Sequence, residues 1–139
     1  MKIVFRVLVI ISVLVLAFAS MGAAPAATSD TRIAGLYRGI DTADGSKVEL
    51  KITEWMGVQR VQFTDKSTSA CGGGPARGKS GAVWVASALH TYMTVKCVGS
   101  GLVIATNYDL VLVPTSQTVL VDVYGRVYNL IQGPGCRNR

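Results

Sequence analysis

The sequence predicts an all-β fold, a small up-and-down antiparallel meander of about eight strands that closes or partly closes into a barrel. Three observations carry this expectation. Apolar and polar residues alternate, most clearly through Lys47-Val48-Glu49-Leu50-Lys51-Ile52-Thr53, as they must in a half-buried strand. Short turns rich in Gly, Asp, Ser or Pro separate the strand-like runs. No stretch after the first 26 residues has a period that clearly favours a helix.

Residues 1–26 read as a secretory signal. Lys2 and Arg6 supply the positive start, Val7 to Ala19 an apolar run, and Ala24 and Ala26 a small-x-small site for cleavage after Ala26. Arg6 interrupts the only candidate for a longer span, so no stable membrane span is expected after cleavage. Residues 27–139 are then a single domain. That piece retains twelve of the fourteen Lys and Arg and all eight Asp and Glu, a net charge of +4. The cations are scattered, with a small cluster only in the terminal "CRNR", so a nucleic-acid partner is not expected.

Within the domain the first strand is Gly35 to Asp41, joined through the Asp44-Gly45 turn to the strand at Lys47–Thr53. Val58 to Thr64 follows, then a region around Ala76 to Ala86, then Leu89 to Cys97 and Leu102 to Val113. Thr118 to Val123 and Arg126 to Ile131 complete the series around a Tyr124-Gly125 turn. Eight such strands close into a barrel that leaves no exposed edge. A two-sheet sandwich is the alternative.

Export permits disulfides, and the chain has Cys71, Cys97 and Cys136. In a meander the odd-numbered strands end at one pole, which places Cys71 beside Cys97 and Cys136 near the opposite pole. The expected bridge is Cys71 to Cys97, leaving Cys136 as a free or intermolecular thiol.

The segment Gly73 to Ser80, "GGPARGKS", matches the phosphate-binding pattern G-x-x-x-x-G-K-[ST]. Val119-Leu120-Val121-Asp122 resembles the apolar run ending in a magnesium-holding acid. The phosphate site, however, needs a helix starting at the Lys-Ser end, whose free N–H groups face the phosphates. Here the chain continues into Val83-Trp84-Val85, which suits a strand. The match is therefore read as a glycine-rich connection, with Arg77 and Lys79 kept as weak candidates for contact with an anionic partner.

Other chemistry is thinly represented. His90 is the only histidine, so no metal site and no cofactor are expected. Asp41 and Asp44 in "DTADGS" suit a tight turn better than acid–base work. Tyr37, Trp55, Phe63 and Trp84 are expected to fill the core rather than line a pocket.

Taken in order, Gly35-x-Tyr37, Asp44-Gly45-Ser46, Val61-x-Phe63-x-Asp65, Cys71-Gly72-Gly73 with Ala76, and Cys97 resemble a class of exported bacterial β modules of unknown function. Those modules pair a "G-x-W…DGS" opening with "CGG-x-A…C". The likeness spans about residues 35 to 130, with Tyr37 in place of the usual Trp and Cys136 as an addition. It implies a lipocalin-like architecture and the Cys71 to Cys97 bridge, and brings no catalytic residues. The expected function is a non-enzymatic binding or structural module, secreted or held in the cell envelope, whose partner is an envelope component or a secreted protein. The alternatives are a carrier of a small apolar ligand and an inhibitor of a secreted hydrolase.

Overall fold

The computed structural model describes residues 33–134. The expected leader, its cleavage site and Cys136 lie outside them. Eight strands follow one another: β1 (Gly35–Ile40), β2 (Lys47–Trp55), β3 (Val58–Asp65), β4 (Ala76–Val85), β5 (Ala88–Cys97), β6 (Val103–Pro114), β7 (Val119–Asp122) and β8 (Val127–Gln132). Each pairs antiparallel with the next, and β1 pairs with β8, so the sheet is a closed barrel. The meander expectation holds and the sandwich alternative does not. Leu102, expected in a strand, instead accepts a hydrogen bond from Cys97 N at 2.8 Å and closes the β5–β6 turn.

The interior follows from strand periodicity. Val48, Leu50 and Ile52 of β2 face inward with Val61 and Phe63 of β3, Leu89, Met93 and Val95 of β5, and Leu110 and Leu112 of β6. Tyr37 of β1 is also inward, and its hydroxyl donates to Ile33 O at 3.0 Å. Ile33, fully buried, packs into this core just before β1. Gly78 faces inward too. A Cβ there would meet Met93 Sδ at 2.7 Å, so the glycine of "GKS" is required by core packing.

The ends of the barrel differ. Loops 41–46, 66–75, 98–102 and 123–126 gather at one end, here called the mouth, while loops 56–57, 86–87 and 115–118 form the hairpin end. Cys71 and Cys97 are bridged at the mouth, with Cα atoms 5.5 Å apart across a sequence separation of 26. The bridge ties loop 66–75 to the end of β5.

Two expectations about position need correction. The segment Gly73 to Ser80, expected to be a glycine-rich connection, is loop only as far as Pro75, because Ala76 to Gly81 pairs with β3. Trp55 is not in the core. It ends β2 on the outer face at 71% exposure, since alternation from Leu50 and Ile52 turns residue 55 outward. Tyr37 and Phe63 are buried, and Trp84 packs partly against the core.

Candidate functional site: the mouth of the barrel

The β7–β8 turn builds the centre of the mouth. Asp122 closes β7 facing inward, and its Oδ1 accepts from Tyr124 N at 2.9 Å and Arg126 N at 3.0 Å. Its Oδ2 accepts from Arg126 Nε at 2.7 Å and Tyr128 OH at 2.9 Å. A fully buried carboxylate is costly unless it is paired and hydrogen-bonded, and four donors meet that requirement. Asp122 therefore acts as the anchor of this turn rather than as a magnesium-holding acid.

Arg126 is 5% exposed and spans the mouth. Beyond Asp122, its Nη1 donates to Asp41 Oδ2 at 2.8 Å and its Nη2 to Tyr108 OH. The guanidinium carbon lies 5.0 Å from the ring centre of Tyr124, 5.5 Å from Phe63 and 5.9 Å from Tyr108, within cation–π range. Tyr108 and Tyr124 stack at 5.7 Å. Burial works against the arginine's charge, but Tyr128, Tyr108 and Asp122 more than offset it, and its pKa is raised. Burial likewise raises the phenols of Tyr128 and Tyr108.

A local irregularity brings Tyr108 here. Val95 pairs with Ala105 and Met93 with Tyr108, so β6 carries an extra residue between these pairs. Asn107, at φ 53°, takes up the bulge. Ala105 and Tyr108 both reach the mouth despite an odd spacing in sequence.

Beside the Arg126 cluster is an open cavity of about 450 Å³. Phe63, Val95, Ile104, Ala105, Tyr108 and Tyr124 provide its apolar and aromatic walls, and Asp41, Asp65 and Arg126 its charged groups. Asp65 is 7% exposed and its Oδ1 accepts from Ser67 N at 3.0 Å. Among the described residues it has no cationic partner. Arg126 is thus engaged by Asp41 and Asp122, while Asp65 lines the same cavity without pairing to it. No group of three or more His, Cys, Asp or Glu able to hold a metal occurs among the described residues.

The residues singled out from sequence sit elsewhere or act otherwise. Arg77 and Lys79 lie on the outer face of β4, opposite Thr64 and Gln62, and not in the mouth. Lys79 and Ser80 are inside a strand, so the helix start that phosphate binding requires is not formed there. His90 lies on β5 between Val83 and Val111 of the neighbouring strands. Asp44 is a turn residue, its Oδ1 accepting from Ser46 N at 2.9 Å, and that backbone bond lowers its pKa. Asp41 does two things: Oδ1 accepts from Ala43 N at 2.8 Å while Oδ2 holds Arg126.

Sequence reasoning passed over Arg126 as the start of a strand. The available signal was Asp122, an acid that alternation places on the inner side with Leu120, followed four residues later by a cation across a Tyr-Gly turn. No family model, curated protein or solved structure matches this chain, so its functional reading rests on the geometry of the barrel itself.

Proposed function

We propose that the chain is an exported, non-enzymatic binding module that takes a small ligand into the barrel mouth. The observation that carries this reading is the cavity of about 450 Å³, aromatic on its walls and carboxylate-rich at its rim, above a core that is otherwise packed. Pockets of this kind hold ligands through apolar contact, with a few fixed polar groups setting orientation. The charge balance favours a ligand that donates hydrogen bonds, such as an amine on a flat apolar body, because Asp65 offers a carboxylate that makes no ion pair among the described residues. Two of the five N–H donors of Arg126 remain after its three hydrogen bonds, enough to orient one acceptor atom. The bridged loop 66–75 holds one side of the entrance in place. The disulfide also agrees with an extracytoplasmic location, where such bonds persist.

Native mass spectrometry of the protein recovered after export tests the reading, together with melting curves over a panel of small aryl amines. The expected result is a bound mass or an amine-dependent rise in Tm that disappears in Ala105→Phe, which fills the cavity, while that variant keeps its own cooperative melt. A bare mass combined with no response to any amine overturns it.

A further inference from the structure

The hairpin end carries a second surface, with no part in the mouth. The β2–β3 turn is Met56-Gly57, with φ of 50° and 75°. Positive φ at both central residues is the type I′ geometry that Asn-Gly fits and a bulky apolar side chain does not. Met56 is nonetheless there, 88% exposed, beside Trp55. The register pairs Trp55 with Val58, and Val83 and Val85 on the adjoining end of β4 are also exposed, so five large apolar side chains share one rim. Strand formation favours the valines, but it does not call for Met56, since an exposed position in a tight turn is free to be polar.

Directly above the rim, the outer face of β2–β4 is cationic. Lys51, Gln62 and Lys79 form one cross-strand row, and Thr53, Arg60 and Gly81 the next. These residues line an outer groove of about 540 Å³ that includes Val58 and Ser80 and contains no acid. Lys51, Arg60 and Lys79 make no ion pair among the described residues. Glu54, the one nearby acid, is exposed at the end of β2, on the opposite side of the strand from Lys51 and Thr53.

We infer that this end docks on an anionic lipid bilayer. At about 3.3 Å per residue, the Arg60 row stands about 7 Å from Trp55 and the Lys51–Lys79 row about 13 Å. Interfacial segments sink about 5 to 10 Å into the boundary between headgroups and acyl chains. Inserting Trp55 and Met56 to that depth sets Arg60 among the headgroup phosphates and Lys51 and Lys79 within the screening length of the charged surface. Trp favours this interface because its ring is apolar and its N–H finds polar partners there. A soluble polyanion would be met by the cations alone and gives no role to the apolar rim.

The test uses the exported protein, its N-terminus read by mass spectrometry, with sedimentable phosphatidylcholine vesicles prepared with and without phosphatidylglycerol. Co-sedimentation with the anionic vesicles is expected, with a blue shift of tryptophan emission and weaker binding at high salt. Replacing all three cations in Lys51→Gln/Arg60→Gln/Lys79→Gln weakens binding about a hundredfold, at about fivefold for each. Trp55→Thr/Met56→Asn suits both strand and turn, so it keeps the fold while removing the emission shift and most of the binding. Failure of the wild type to bind anionic vesicles overturns the inference. So does unchanged vesicle binding by Trp55→Thr/Met56→Asn alongside loss in the cation variant, which identifies a soluble-polyanion site.

Discussion

At the scale of single residues, Arg126 is the group on which the mouth depends. Its guanidinium joins Asp122, Asp41 and Tyr108, drawing together β1, β6 and β7 from one position at the entry to β8. Losing it leaves Asp122, whose side chain is 0% exposed, as a buried charge without its partner. Breaking such a pair costs about 3 to 5 kcal/mol. Urea unfolding of Arg126→Met is therefore expected to show a loss of that size, and Arg126→Met/Asp122→Asn to lose less than the two single changes together. Equal additivity would mean that the pair is not coupled. Little of this was legible beforehand. Arg126 and Asp41 are 85 residues apart in sequence, and periodicity is a local signal that cannot report which distant strands meet. Asp122 was noticed for its apolar approach, which reflects a strand running into the barrel interior.

At the scale of elements, the strands were legible and the connections only partly so. Alternation places Val48, Leu50 and Ile52 inward without further information, and all eight strands follow the predicted order. Gly73 to Ser80 reads as a connection because Gly78 looks like a loop glycine, whereas its lack of a Cβ makes room for Met93 inside the barrel. The odd step between Ala105 and Tyr108 breaks the two-residue period, so no alternation rule could have aimed both side chains at the cavity. The cysteines were easier, since strand parity alone brings the ends of β3 and β5 to one pole. Closing a loop with a separation of 26 residues stabilises by about 3 to 4 kcal/mol in the loop-entropy account. Cys71→Ser/Cys97→Ser is expected to melt at a lower temperature by a corresponding amount, and reduction of the wild type should reproduce the shift. If neither changes the Tm, the loop is held by its own hydrogen bonds, among them Thr68 N to Gly74 O and Gly73 N to Thr68 O.

At the scale of the whole molecule, Asp41, Asp44, Asp65 and Asp122 gather at the mouth with Lys47, Lys66, Arg77, Lys96 and Arg126, whereas Arg60 lies nearer the hairpin end and Lys51 and Lys79 stand at mid-barrel. The interior also holds several phenols, and burial raises the pKa values of Tyr37, Tyr108 and Tyr128 above the ordinary value. Below pH about 10 these groups are protonated in both folded and unfolded chains, so their contribution is fully present. As the pH rises further, the unfolded chain releases its protons first and stability is lost. The Tm is expected to fall above pH about 10, with tyrosinate absorbance appearing together with unfolding, and Tyr128→Phe should flatten the decline. A Tm that stays level while tyrosinate forms would show that these phenols ionise inside the folded barrel.

The seam between β1 and β8 has one more consequence. Leu36 pairs with Gln132, so the two ends of the described chain leave side by side at the hairpin end. The described chain therefore begins and ends at the same end of the barrel as Trp55 and Met56, and the mouth faces away from both of its ends.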